Sequence, residues 1–568
     1  MKKIVSVILS LALFGTVSSA YSFPEPDWGA LLSERKSMET TSDFELYVEG
    51  NPESAPYYGA KLEPRSGVYL GMIGEQSEPF QPLGSCLTYM EADSRQSEPY
   101  YPPSASDDVV TMVGWNTSSI DNVDYDYIRA ALDNLSKYNK PMFIRFANEM
   151  NCSNLGDNPD LYIQVFRNVA NMIHEYPNFA IVWSPNDMGA LDRPFQYFYP
   201  GDEYVDWIGV SCYMTKYFTN EQNTKLVDSQ YFMTGDYAWA TNKIKPLIKF
   251  MEDYNINKPV MISEGGVARY NSFGDDYTGW HEPRLRNMLW NVIMKYPQIK
   301  MINYFNNPFN NYGEHYYITD YPSSVSIFKE AASNGAYLRS ASDTPEFAFS
   351  RANDGDTLIA DNDIVKLYTL AYFANKPDIS VNYRIDGQWF HSANQIPYTC
   401  NFDINSISDG VHKLSIDANG TSKEYTLYKR GQYVSFGKEP DTSLVAPSPI
   451  PQTREITVTV NGQKLSFDQP PVIVDDRTLV PLRAIFETLG ATVEWEQSTQ
   501  TVTSKRSNTT ISLTIGDNKL YKNGSAVALD VPAQLINDHT MIPVRAVAEA
   551  FGAKVDWNGD SQTVTITE

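Results

Sequence analysis

Between residues 60 and 310, short apolar runs alternate with stretches whose apolar positions recur at helical spacing. Eight runs stand out, at 67–73, 86–91, 109–115, 142–147, 180–184, 207–213, 260–264 and 301–305. Each is strand-length and apolar nearly throughout, as expected of strands buried on both faces. Between them, Ile128, Leu132 and Leu135 mark one helical face, and Leu161, Val165, Val169 and Ile173 a second. Ile244, Leu247, Ile248 and Met251 mark a third, and Leu285, Leu289, Val292 and Ile293 a fourth. Buried strands linked by crossover helices over about 250 residues predict a (β/α)8 TIM barrel, here within residues 21–340. Residues 76–108 carry little helical signal, so the early barrel should be irregular. A doubly wound open sheet is the rival fold, but no Gly-rich phosphate loop accompanies these runs.

Over residues 341–438 the apolar period falls to two, with turn signals at Asp386-Gly387, Asp409-Gly410 and Asn419-Gly420. Such alternation predicts an antiparallel β-sandwich of immunoglobulin-like size. Residues 439–453 hold Pro440, Pro447, Pro449 and Pro451 and read as an extended linker. The remainder, 454–568, repeats itself: residues 477–495 return as 539–557. Pro481, Arg483, Gly490 and Trp495 reappear as Pro543, Arg545, Gly552 and Trp557. Each copy reads as Pro at a helix start, two helical turns, a closing Gly and a strand, making an α+β two-copy repeat. This segment resembles the copper amine oxidase N-terminal-like (stalk) domain. Copper chemistry needs several His ligands and the segment has only His539, so the resemblance implies a spacer or cell-envelope association module without a metal.

Composition narrows the partners. With 45 Lys+Arg against 69 Asp+Glu, a net charge of −24 disfavours nucleic acid and anionic membranes. Aromatic residues make up 13 %, suiting rings that stack on a neutral polar ligand such as a sugar. Lys2 and Lys3, an apolar stretch at 4–14 and Ser18-Ser19-Ala20 read as a secretory signal peptide over residues 1–20. The protein is therefore expected to be secreted or attached to the cell surface. No later run is long enough to span a bilayer. The four cysteines, Cys86, Cys152, Cys212 and Cys400, lack CxxC spacing and are expected to be mostly buried thiols.

Barrel chemistry sits where the strands end at their C-terminal side. The fourth run ends Arg145-Phe-Ala-Asn148-Glu149, the seventh Ile262-Ser-Glu264-Gly265-Gly266 and the eighth Asn303-Tyr-Phe305. A carboxylate straight after a buried strand is costly unless paired or used. Strands four and seven lie nearly opposite in a barrel, so Glu149 and Glu264 would face each other across its mouth. Two such carboxylates cleave a glycosidic bond, one protonating the leaving oxygen and the other attacking the anomeric carbon. Their environments must differ: Arg145 and Tyr213 near Glu264 would hold it charged, and Glu149 beside uncharged Asn148 would keep its proton. Gly265 and Gly266 would let the chain turn sharply. Trp115, Trp183 and Trp280 are candidate sugar platforms.

The stretches 124–129, 140–151, 182–186, 199–209 and 258–264 resemble glycoside hydrolase family 26 of the clan A retaining glycosidases. The resemblance implies Glu149 as acid/base, Glu264 as nucleophile and Tyr213 as the residue orienting Glu264, without a cofactor. It further implies retaining endo-hydrolysis of β-1,4-mannan or a related β-glycan. Two positions depart from the family: Asn148 replaces its His, and Phe305 replaces its strand-eight Trp. Asn148 can still bond a sugar 2-hydroxyl, and Phe305 can stack while losing the indole donor. These departures leave xylan- or glucan-directed activity open. The competing class is a non-catalytic surface glycan-binding adhesin with a degenerate barrel, for which neither Glu would need to ionise.

Overall fold

The computed structural model describes residues 43–444 and 456–567 with gaps. The gaps are 74–79, 81–82, 93–108, 188–192, 215–238, 271–275, 308–314, 374–378, 466, 468–470, 475–476, 497–498, 530, 537–538 and 559–562. The leader at 1–20, most of 76–108 and most of the linker at 439–453 lie outside the described residues. Two compact units form, dividing between Ser443 and Leu444.

In the first unit eight parallel strands close a barrel: β1 (Val68–Ile73), β2 (Ser85–Glu91), β3 (Val110–Asn116), β4 (Met142–Phe146), β5 (Phe179–Trp183), β6 (Trp207–Met214), β7 (Val260–Val267) and β8 (Ile299–Phe305). β8 returns to pair with β1, setting Tyr69 beside Met301 and Ile73 beside Phe305. Closure explains the unbroken apolar runs. Phe143, Val182, Trp207, Met261 and Met301 fill the interior. Their neighbours Ile144, Ile181, Ile208, Ile262 and Ile302 face outward into the layer shared with the helices.

Local signals set those helices. α1 (Tyr125–Ser136) starts where the Asp124 carboxylate accepts from the Tyr127 N–H at 3.0 Å, and it buries Ile128, Leu132 and Leu135. α2 (Pro159–His174) has Asn158 as cap and Pro159 in its first turn, and buries Val165, Val169 and Ile173. α3 (Ala240–Asp253) buries Ile244, Leu247, Ile248 and Met251. α4 (Thr278–Arg286) continues into a π-helical turn at Asn287–Asn291.

Two antiparallel sheets follow the barrel. One joins Asp43–Gly50, Ala348–Arg351, Ile364–Tyr372 and Tyr398–Asp403. The other has six strands, among them Val381–Ile385, Gln388–Ala393, Gly410–Ala418 and Thr421–Arg430. Asp386-Gly387 and Asn419-Gly420 both take positive φ, the geometry of two-residue hairpin turns. The Tyr383 hydroxyl joins the sheets, lying 2.9 Å from Thr369 Oγ1 and donating to the Tyr398 carbonyl at 2.7 Å. The strand Asp43–Gly50, which the sequence assigned to the barrel span, pairs instead with Ile364–Tyr372 in the sandwich. The buried positions Phe44, Leu46 and Val48 alternate with the half-buried Asp43, Glu45 and Glu49, as a half-buried sandwich strand requires. The sandwich is bonded to the barrel: Asn242 donates to the Tyr372 hydroxyl at 2.7 Å and Arg286 to the Ile396 carbonyl at 2.9 Å.

In the second unit the repeat strands Arg477–Pro481 and His539–Pro543 pair antiparallel, Val480 opposite Ile542. Each leads into a short helix, Leu482–Thr488 or Val544–Ala550, closed by a left-handed glycine, Gly490 or Gly552. Among the described residues no cluster of three His, Cys, Asp or Glu is placed to hold a metal, and no helix is long and apolar enough to cross a membrane. Cys212 and Cys400 are buried, Cys86 is half-buried and Cys152 exposed.

Candidate active site

Glu149 leaves β4 through strained backbone. Ala147 (φ 45°) and Glu149 (φ 59°) both adopt left-handed conformations without being glycine, at a cost of about 1–2 kcal/mol each. Such conformations persist only where surroundings over-determine them, and they cluster at functional sites. Here the Ala147 N–H donates to the Trp115 carbonyl at 3.0 Å and the Glu149 N–H to the Ser184 carbonyl at 2.8 Å. The turn is thereby tied to β3 and β5. Asn186 Nδ2 donates to Glu149 Oε1 at 3.1 Å. Asn186 itself is held by reciprocal 2.8 Å bonds between its backbone and the Asn151 amide.

Glu264 arrives by a different device. Along β7 the pairing with β6 slips, so that Ile262 lies opposite Val210 but Glu264 opposite Ser211. This bulge turns both Ser263 and Glu264 toward the barrel interior, where strict alternation would have sent one outward. Both Glu264 oxygens are occupied: Tyr213 donates to Oε1, and Tyr89 and Arg145 Nη1 donate to Oε2, the latter at 2.6 Å. Arg145 is fully buried and spends its other donors on Ser184 Oγ at 2.9 Å and Ser211 Oγ at 2.5 Å. Ser184 Oγ in turn lies 2.8 Å from Ser263 Oγ.

Burial and the charge of Glu264 raise the Glu149 carboxyl above the ordinary range, against the lowering influence of Arg145, Ser211 and Asn186. Glu264 carries its counter-charge in direct contact. Burial and the same carboxylate hold the Tyr89 and Tyr213 phenols well above their ordinary value, so both stay protonated donors. Burial lowers Arg145, but the charges of Glu264, Tyr89 and Glu149 together outweigh it and leave its value raised. Behind Glu149, Asp187 pairs with Lys243 at 3.2 Å; burial pushes this Asp up to about 6, and the charge of Glu149 adds to the rise.

Of the residues singled out from sequence, Arg145, Glu149, Tyr213 and Glu264 meet in one network, with Asn148 and Phe305 beside it. The Asn148 side-chain oxygen is buried with no hydrogen-bond partner among the described residues. The Phe305 ring stands edge-on to Tyr213 at 5.9 Å. The three tryptophans are corrections. Trp115 and Trp183 are fully buried at outward positions on β3 and β5, against the helix layer. Trp183 donates to the Phe198 carbonyl and packs on Phe195, Tyr199 and Phe250. Trp280, on α4, is 6 % exposed and stacks on Arg284 at 4.2 Å. Strand parity decides the first two, since Trp183 neighbours the inward Val182 and so points away from the cleft.

Gly265 and Gly266 are also corrected: they lie inside β7 and make no turn. A Cβ on Gly265 would sit 2.5 Å from the Cys212 carbonyl oxygen, and one on Gly266 3.0 Å from the Tyr316 ring. Close approach is why they are glycine. Sequence reasoning missed Tyr89, Ser184, Ser211 and Ser263. Only Tyr89 left a trace, two positions beyond the inward Leu87 near the end of the second run.

Residues 88–271 match the family described as Glycosyl hydrolase family 26, and residues 459–566 match the Copper amine oxidase N-terminal domain. The chain is 24 % identical over 289 residues to a β-1,3-xylanase of Vibrio sp, covering 48 % of this chain and 52 % of that protein. It is 24 % identical over 292 residues to a β-1,3-xylanase of Alcaligenes sp, covering 48 % and 51 %. The chain thus spans about half the length of the curated relatives it matches. Among solved structures, a Cellulomonas fimi endo-β-1,4-mannanase double mutant aligns at 11 % identity over 67 % of this chain and 99 % of that one, with a TM-score of 0.34. The family match and the two curated relatives support a glycoside hydrolase domain in the barrel.

Proposed function

We propose that the barrel is a retaining glycoside hydrolase acting on a β-linked polysaccharide, with Glu264 as nucleophile and Glu149 as acid/base. One observation carries the reading: acidic side chains from the end of β4 and from within β7 share a single buried network through Arg145 and Ser211, and burial with the charge of Glu264 raises Glu149 toward the protonated form. In the first step Glu264 attacks the anomeric carbon while Glu149 gives its proton to the leaving oxygen. In the second, Glu149 takes a proton from water as the glycosyl ester is hydrolysed. Tyr89 and Tyr213 hold the attacking oxygens in line, and Arg145 supplies the counter-charge. The unpartnered Asn148 oxygen offers an acceptor for a sugar hydroxyl.

The substrate set contains β-1,3-xylan, after the curated relatives, and β-1,4-mannan, after the sequence resemblance. Phe305 at the end of β8 suits either, since it presents a ring without a donor. Residues 1–20 and the terminal repeats fit a protein acting outside the cell, on or near its envelope. The test is reducing-end release from β-1,3-xylan, β-1,4-xylan, mannan and β-glucan, with the anomeric form of the first product read by NMR. A β-configured product and loss of activity in a folded Glu264→Ala are expected. Inversion, or an active Glu264→Ala, would overturn the reading.

A further inference from the structure

Among the described residues Trp389 is the most exposed tryptophan, at 57 %. A lone exposed ring needs no explanation, but this one is held by a built structure. Strand Gln388–Ala393 pairs with Val381–Ile385 through a bulge: His391 faces Tyr383, whereas Trp389 faces Arg384. The extra residue, Phe390, turns its ring toward Tyr383 and Phe402, with centroids 6.2 and 5.5 Å away. The bulge leaves Trp389 and Ser392 on the same outward face, where alternation alone would separate them. Ser392 Oγ accepts the indole N–H at 3.0 Å and donates to Asn382 Oδ1 at 2.7 Å. Asn382 Nδ2 and Arg384 Nε then converge on the two carboxylate oxygens of Asp417, at 3.2 and 3.3 Å. The indole is thus fixed beside a row of planar polar groups.

The charge of this face restricts what can lie on it. Arg384 pairs with Asp417 at 3.3 Å, Lys413 with Glu424 at 2.6 Å and Arg430 with Glu439 at 3.3 Å. On a chain of net charge −24 the face is locally balanced and attracts neither a polyanion nor a polycation. A flat neutral polymer with alternating apolar and hydroxyl surface fits it: a pyranose C–H face on the indole, its hydroxyls on Asn382, Ser392 and Asp417. We propose that the outward face of the sandwich around Trp389 is an auxiliary binding site for a neutral β-linked glycan chain, holding the polymer on which the barrel acts. The second clause rests on the hydrolase reading; the site does not. Because the sandwich is bonded to the barrel through Tyr372 and Ile396, a chain held there stays near the cleft while the enzyme works.

The test uses the full chain carrying Glu264→Ala, so that the polymer survives, and measures depletion from solution by insoluble β-1,3-xylan, β-1,4-xylan, mannan and cellulose. At least one polymer should retain the protein. Trp389→Ala and Trp389→Gln should each weaken retention tenfold or more at an unchanged melting temperature, while Trp389→Phe should stay within about threefold. With Glu264 intact, Trp389→Ala should leave hydrolysis of short soluble oligosaccharides within twofold. Equal retention by both substitutions, or no retention by the parent chain, overturns the proposal. Capture of a protein partner through Trp389 without polymer retention also overturns it. Trp389-dependent retention without hydrolysis anywhere on the panel would sink the hydrolase reading and leave this site standing. Hydrolysis with Trp389-independent retention would do the reverse.

Discussion

Arg145→Met removes the counter-charge of Glu264 while keeping most of the buried volume. In the parent, Arg145 is fully buried and makes three side-chain bonds, to Glu264 at 2.6 Å, Ser184 at 2.9 Å and Ser211 at 2.5 Å. Glu264 is 7 % exposed and has no second cation in contact among the described residues. Removing one member of such a pair leaves an uncompensated buried charge, worth about 3–5 kcal/mol of stability. Glu264→Gln strands the fully buried Arg145 cation in turn and should also cost about 3–5 kcal/mol, towards the lower end because the amide oxygen still accepts from the guanidinium. In the double variant no stranded charge remains, so its loss should fall short of the sum by about 2 kcal/mol or more. Guanidinium unfolding followed by near-UV circular dichroism reads this out, because Trp115, Trp183, Trp207 and Trp290 are buried in the barrel unit whereas Trp495 and Trp557 of the second unit are exposed. Losses that add within about 0.5 kcal/mol would refute the claim that the pair acts as one electrostatic unit.

Three further outcomes follow from the same network. Burial and the charge of Glu264 raise the Glu149 carboxyl, so kcat/KM should fall as pH rises through that value and the acid form is lost; Glu149→Gln should lack the falling limb and be slower by about 10²–10⁴-fold on substrates with poor leaving groups. Tyr89→Phe deletes one donor to the Glu264 carboxylate and should lower kcat/KM about 10- to 100-fold, with the melting temperature little changed; an unaltered rate would remove Tyr89 from the site. Trp183→Ala should cost about 3–5 kcal/mol in denaturant unfolding while KM of the folded fraction stays within twofold, the opposite of what a sugar platform would show.

The barrel was legible because burial on both faces leaves an unbroken apolar run, and the eight runs fall within three residues of the eight strands at either end. The capped helices were legible for an equally local reason, since Asp124 and Asn158 act on backbone groups three residues away. The glycine hairpin turns of the sandwich and the two-copy repeat belong to the same class. Assigning Glu149 and Glu264 to strands four and seven needed only the strand count and the rule that barrel chemistry sits toward C-terminal strand ends; the sequence ended strand seven at Glu264, whereas β7 runs on to Val267.

What remained hidden depends on which way each side chain points and what comes to meet it from elsewhere in the chain. A fully buried strand shows no polar alternation, so nothing in the local pattern told Trp183 from Val182, and a tryptophan of the outer layer read as one of the cleft. Two bulges shifted parity by a residue, turning Glu264 inward beside Ser263 and Trp389 outward beside Ser392. Backbone pairing across strands produces those shifts, and a single strand carries no record of its partner's register. The donors around Glu264 come from β2, β4 and β6, up to 175 residues away in the chain. Local chemistry therefore specifies the elements and the acids they carry; the closed sheet, which alone brings distant strands to one point, selects their hydrogen-bond partners.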